Sequence, residues 1–149
     1  MQHAHSILVV DDDPDTCQAM ADLLVADGYK ALKARDGREA LRKLRSRKKP
    51  CLLLLDLMMP RMTGWELLEL HRESARLSSV PLVLVTGWTD TDIAQAKAMI
   101  PKPLDPDRLL RTLRRILAKE SNSKGAKGSR ARPKRVSKPA KRVAASARN

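Results

Sequence analysis

Five short strand-like runs, spaced by segments of helical periodicity, constrain this chain more than anything else in it. They fall at residues 6–10, 29–34, 51–56, 80–86 and 98–101. Leu52 to Leu55 and Leu82 to Val85 are apolar without a break, as expected of strands covered on both faces. Between the runs, apolar residues recur every three to four positions. Ala19, Met20, Leu23 and Leu24 form one such face, after an Asp13-Pro14-Asp15 start with proline in the first turn. Ala40, Leu41 and Leu44 form a second, after Asp36-Gly37, and Leu67, Leu68 and His71 a third, after Gly64. The last helix is predicted from about Asp105 to Lys119, with Leu109, Leu110, Leu113, Ile116 and Leu117 as its stripe. Only residues 90–97 remain for a helix between the fourth and fifth runs, so that helix is expected to be barely two turns. Alternation of this kind predicts an α/β fold: one doubly wound, five-stranded parallel sheet with right-handed crossovers and helices on both faces.

Four of the runs end in polar residues. Ile7 to Val10 is followed by Asp11 and Asp12, and Leu52 to Leu55 by Asp56; the fourth run ends at Thr86, and Met99-Ile100-Pro101 is followed by Lys102. In an open parallel sheet, ligands bind beyond the carboxyl ends of the strands, so these side chains are expected to converge. Three gathered carboxylates repel one another and raise each other's pKa. A hard divalent cation such as Mg²⁺ relieves that repulsion, taking carboxylate, water and phosphate oxygens. A charge-balanced Asp56 is a nucleophile able to form an aspartyl phosphate. A lysine ammonium and a threonine hydroxyl suit the oxygens of a transferring phosphoryl group.

At this level of detail the chain resembles the receiver domain of two-component response regulators. The matching pieces are Ile7-Leu8-Val9-Val10-Asp11-Asp12-Asp13, Leu55-Asp56-Leu57-Met58-Met59-Pro60-Arg61-Met62-Thr63-Gly64, Val85-Thr86-Gly87 and Pro101-Lys102-Pro103-Leu104. The likeness spans residues 6–119, and the set in this order and spacing is specific. It implies a flavodoxin-like strand order of 2-1-3-4-5. It also implies that Asp56 is the phosphoacceptor, loaded from a sensor histidine kinase, a phosphotransfer protein or a small phosphodonor. Mg²⁺ would be held by Asp12, Asp56 and the backbone carbonyl of Met58, with Asp11 acting largely through water. Thr86 would move to bond the phosphoryl group, and Lys102 would pair with it. Gly64 would permit the turn after the phosphorylation loop, and the Lys102–Pro103 bond is expected to be cis. Such a domain is a phosphoacceptor that assists its own phosphorylation and dephosphorylation, not a classical enzyme.

Two side chains bear on the lifetime of the phosphate. Met58, two residues after the acceptor, cannot hydrogen-bond an attacking water, and Trp88, two residues after Thr86, is bulky enough to shield the site. Self-dephosphorylation is therefore expected to be slow. The chain also departs from the family. Thr86 and Lys102 lie roughly six residues closer together than is usual. Met99 stands where the family has a switching Tyr or Phe. The face affected usually carries signal output and dimer contacts, so an altered coupling of Thr86 movement to output is expected; a homodimer is a separate expectation.

Charge divides the chain. Residues 121–149 carry ten Lys or Arg and no acid, whereas the first 120 carry twenty basic and seventeen acidic residues. Residues 1–120 are read as the receiver domain and 121–149 as a disordered Lys/Arg-rich tail, too polar to offset the entropy of ordering. The tail is similar to linker-histone tails and has three readings: binding of DNA or RNA through phosphate neutralisation, which is favoured, binding of an acidic protein or membrane surface, and an unselective solubilising extension. It has no aromatic residue for base stacking. No folded output module is expected after residue 120. Arg42, Lys43, Arg45, Arg47, Lys48 and Lys49 form a second basic run; the default reading is a solvated helix C-terminus, the alternative an extension of the tail's basic surface.

The N-terminal residues lack a signal sequence, and no apolar stretch approaches the roughly 18–20 residues of a membrane span. Cys17 and Cys51 give neither a disulfide framework nor metal spacing. Together these predict a cytoplasmic protein without membrane insertion. His3 and His5 read as a solvated terminus and His71 as structural. Two other functional classes compete with a receiver. One is a haloacid-dehalogenase-like phosphatase, with Asp11 as nucleophile of an Asp-x-Asp pair; Asp56 and its following phrase go against it. The other is a nucleic-acid-binding protein with an inert receiver.

Overall fold

In a computed structural model of the 149-residue chain, the structure describes residues 5–57, 63–87 and 93–127, the side chains of 123–127 excepted. Strands β1 (Ser6–Val10), β2 (Lys30–Ala34), β3 (Leu52–Leu55), β4 (Leu82–Thr86) and β5 (Ala98–Pro101) make one sheet in the order β2-β1-β3-β4-β5. All four pairings are parallel. The helices are α1 (Pro14–Ala26), α2 (Gly37–Leu44), α3 (Gly64–Glu73), α4 (Ala75–Ser78) and α5 (Pro106–Lys127). The sheet topology is the one expected.

Strand alternation sorts the core into two layers. Leu8, Val10, Leu53, Leu55, Leu82 and Leu84 point to one face, where Ala40 and Leu44 of α2, Leu67 and Leu68 of α3 and Leu77 of α4 cover them. Ile7, Val9, Leu52, Leu54, Val83 and Val85 point to the other, against Cys17, Met20 and Leu24 of α1 and Leu109, Leu113, Ile116 and Leu117 of α5. With no phenylalanine in the chain, branched aliphatic side chains fill both layers. Cys17 packs among them, and burial, then the charge of Asp11, pushes its thiol pKa up.

Helix ends follow local chemistry. The Asp13 side chain caps α1, accepting from the Asp15 amide, with Pro14 at the first helical position. The other end closes at Gly28, whose φ of 97° is open to glycine without a Cβ penalty. There the Gly28 amide donates to the Val25 carbonyl and the Tyr29 amide to Leu24, the paired bonds of a Schellman cap. Thr63 and Glu66 form a reciprocal capping box on α3. Ser74 caps α4, a single turn not foreseen in the sequence, by accepting from the Leu77 amide at 3.2 Å.

Two expectations need correction. Helix α5 does not stop near Lys119 but continues to Lys127, so the first seven residues assigned to the disordered tail are helical. No proline interrupts 107–132, and adding a turn to an existing helix is far easier than nucleating one. The chain divides into two units, Met1–Leu117 and Ala118–Asn149, and the first contains the entire sheet. The tail beyond residue 127 lies outside the described residues. The connection from β4 to β5 is short, as expected, but its described part, residues 93–97, is turn rather than helix; residues 88–92 lie outside the described residues.

His71 explains how that short connection is held. It is buried on α3, with Nε2 2.8 Å from the Val80 carbonyl. A carbonyl only accepts, so Nε2 carries the proton. Nδ1 then accepts from the Gln95 side-chain amide at 2.8 Å, and the same amide donates to the Leu68 carbonyl at 3.1 Å. The histidine therefore ties α3 to the segment before β4 and to the β4–β5 connection. Replacing Gln95 with Leu leaves a buried ring nitrogen without its donor. Urea unfolding of Gln95→Leu should show a loss of about 1–3 kcal/mol.

Candidate phosphoacceptor site

The backbone ladder carries Asp11, Asp56 and Lys102 one step past their strands. The Asp11 amide donates to the Ala34 carbonyl at 3.1 Å, Asp56 to Val10 at 3.0 Å, and Lys102 to Thr86 at 3.1 Å. These bonds lock the residues at the C-terminal ends of β1, β3 and β5, beside Thr86 at the end of β4. Asp11 is 1% exposed, Asp56 6% and Thr86 1%, so water does little to screen them.

Carboxylate oxygens of Asp11, Asp12 and Asp56 all lie within 4.8 Å of one another. The Lys102 ammonium sits between two of them, 3.1 Å from Asp11 and 3.2 Å from Asp56. Partial burial works to lower the Lys102 pKa, but its hydrogen bonds and charge interactions with Asp11 and Asp56 outweigh that and raise it. The ammonium is thus held charged where it is needed. The Asp13 amide donates to the second oxygen of Asp11 at 3.0 Å. Asp12 is exposed, on the open side of the cluster. Three hard oxygen donors this close fit a small divalent cation, and Asp11, Asp12 and Asp56 are the residues that would hold it.

Gly64 has a role that its sequence position did not reveal. Its importance is close approach, not turn conformation. A Cβ built on Gly64 would lie 2.4 Å from the Leu57 Cα and 2.7 Å from the carbonyl oxygens of Asp56 and Leu57. The Gly64 amide donates to the Leu57 carbonyl at 3.0 Å. The first turn of α3 therefore rests on the backbone that presents Asp56. Near Thr86, a cavity of about 190 Å³ is lined by Thr86, Met99, Ile100, Pro101 and Arg108. Met99, at the position where the family usually has an aromatic, packs partly buried against the α2–α3 layer. The Lys102–Pro103 bond is cis, as expected. Met58 and Trp88 lie outside the described residues, so neither the Met58 carbonyl nor the shielding by Trp88 is placed.

Residues 7–114 match the family model of the response regulator receiver domain. The chain belongs to that family. It is 34% identical to the response regulator Rre1 of Synechocystis over 81% of this chain and 55% of that protein. It is 30% identical to protein PilH of Pseudomonas aeruginosa over 75% of this chain and 97% of that protein. Among solved structures, the chemotaxis response regulator CheY4 of Vibrio cholerae superposes with a TM-score of 0.68 at 31% identity, covering 77% of this chain and 99% of that one. The chain spans about half the length of Rre1 and about a quarter of NtrX of Azorhizobium caulinodans.

This receiver domain places Asp11, Asp12, Asp56 and Lys102 in one cluster, with Thr86 at the neighbouring strand end. Membership of the family goes against the phosphatase alternative. No described helix is long and apolar enough to cross a membrane. The close packing under Asp56 is directly testable. Gly64→Ala must push backbone against backbone, with an expected loss of about 1–3 kcal/mol. Urea unfolding would measure it, and labelling of Asp56 by a small phosphodonor should slow in the same variant.

Proposed function

We propose that this receiver domain accepts a phosphoryl group on Asp56 in a two-component phosphorelay, with Mg²⁺ held by Asp12, Asp56, the Met58 carbonyl and, through water, Asp11. The observation that carries this reading is the buried Asp56 carboxylate, 3.2 Å from Lys102 and within 4.8 Å of two other carboxylates. A site with one nucleophilic oxygen, one ammonium and a hard-cation cradle is built for phosphoryl transfer. An Asp56 oxygen attacks phosphorus in line; the new O–P bond forms as the N–P bond of a donor phosphohistidine breaks, and the imidazole leaves with a proton. The cation, when bound, offsets charge on the phosphoryl oxygens. Lys102 neutralises one of those oxygens, and the Thr86 hydroxyl bonds another. The donor is a sensor histidine kinase or a phosphotransfer protein, and the reaction takes place in the cytoplasm. The basic tail binds nucleic acid without reading sequence.

Labelling with acetyl phosphate in Mg²⁺, followed by mass spectrometry, tests the acceptor. A phosphoryl adduct is expected on wild type and on Asp11→Ala, and none on Asp56→Ala. An adduct that survives Asp56→Ala but is lost in Asp11→Ala would instead restore the phosphatase reading, and no adduct on any form would leave an inert receiver. The phosphate is expected to persist for minutes or longer because Met58 cannot orient an attacking water. Met58→Asn should shorten its lifetime, as followed by loss of the adduct after donor removal.

A further inference from the structure

At the N-terminal end of the sheet, away from Asp56, two αβ connections meet. One runs from the end of α2 into β3, the other from α3 through α4 into β4. Because β3 and β4 are neighbours, these connections lie side by side, and hydrogen bonds join them. Lys49 Nζ donates to the Ser79 hydroxyl at 2.6 Å and to the Arg76 carbonyl at 3.4 Å, while Arg76 donates to the Ser46 carbonyl at 2.7 Å. Residues 40–55 and 74–89 contain no acidic residue. The joined face carries Arg42, Arg45, Arg47, Lys48, Lys49 and Arg76, while Lys43 turns to Glu39 and the Lys33 carbonyl.

Capping of α2 accounts for only part of this charge. The helix ends at Leu44, with Arg42 and Lys43 in its last turn. A helix dipole acts within that turn, yet Arg45, Arg47, Lys48 and Lys49 follow it. Carboxylates on the flanking helices are largely engaged: Glu39 pairs with Lys43 at 3.8 Å and Glu69 with Arg72 at 2.8 Å, leaving Glu73 at the end of α3. Residues 45–48 are Arg-Ser-Arg-Lys, all exposed, and contain no apolar anchor. Arginine can anchor a protein interface too, but such interfaces centre on buried aromatic and apolar side chains packed around it, which residues 45–48 do not offer. A uniform polyanion needs none, because release of its counterions drives association.

We propose that this cationic face, residues 42–49 with Arg76, docks the phosphate backbone of a nucleic-acid duplex. It is a contact surface of the folded unit, and its binding does not depend on whether the tail binds. It also lies at the opposite end of the strands from the phosphoacceptor, so both can be engaged at once.

The test uses the full chain and a fluorescent DNA duplex across a salt series. In the face variant, Arg42, Arg45, Arg47 and Lys48 become Gln, leaving the Lys49 and Arg76 bonds intact; acetyl-phosphate labelling of Asp56 checks that the fold survives. In the tail variant, the Lys and Arg residues of 128–149 become Gln. The face variant should bind roughly tenfold or more weakly, with the slope of log affinity against log salt shallower by about 2–4. A face variant with wild-type affinity and slope overturns the proposal. If the tail variant binds like wild type while the face variant is weakened, the tail reading fails and the face stands. Wild type that does not bind duplex even at low salt overturns both. Polyglutamate of matched charge competing as well as duplex does overturn the phosphate assignment and points to an acidic protein.

Discussion

The architecture depends on how the chain tolerates like charges at one end of its sheet. Asp11 and Asp56 are buried and share their neighbourhood with Asp12. Carboxylates this close repel strongly where water is excluded. Lys102 provides the offset from 91 residues away from Asp11 and 46 from Asp56. It arrives from β5, which is separated from β3 by β4 and from β1 by both. The ammonium must therefore reach across β4, and the outermost strand must be in register for it to do so. The site is completed only when the whole sheet is. One ammonium stands against three carboxylates, an imbalance that a divalent cation would offset.

The support beneath Asp56 is steric. Ladder bonds from Asp56 to Val10 and from Asp11 to Ala34 fix where the residues leave their strands. Gly64 then brings α3 against the Asp56–Leu57 backbone, with less than a Cβ's room to spare. Electrostatics above the strand end and contact below it act on the same few atoms. A carboxylate held this way has its orientation set by the fold alone, and such preorganisation would lower the entropic cost of the proposed phosphoryl transfer.

Much of this was legible from sequence because it lies in residue order. Apolar runs mark strands, and the polar residues after them mark the site, so Asp11, Asp12, Asp56, Thr86 and Lys102 could be named without coordinates. What was not legible depends on distance rather than order. Gly64 reads as a turn residue until its contact with Leu57 is measured. His71 shows helical spacing, but its link to Gln95 spans a sequence gap of 24 residues. The reach of α5 was underestimated because composition after Glu120 resembles a tail. Serine and lysine there favour solvent, yet a helix already stabilised by Leu109, Leu113, Ile116 and Leu117 adds further turns without a new nucleation cost. Helix α4 is a single turn, too short for periodicity to register.

Helix α3 is secured at both ends. The Thr63–Glu66 capping box and the Gly64 contact hold its start, while His71, bonded to Val80 and Gln95, holds its last turns. Most helices fray from their termini, and such openings need little free energy. Here neither end is loose, so α3 lacks the cheap openings by which a surface helix sheds its hydrogen bonds. Its first turn rests on the Asp56–Leu57 backbone and its last turns on Val80 and Gln95, so the helix is expected to open together with those segments rather than to fray alone.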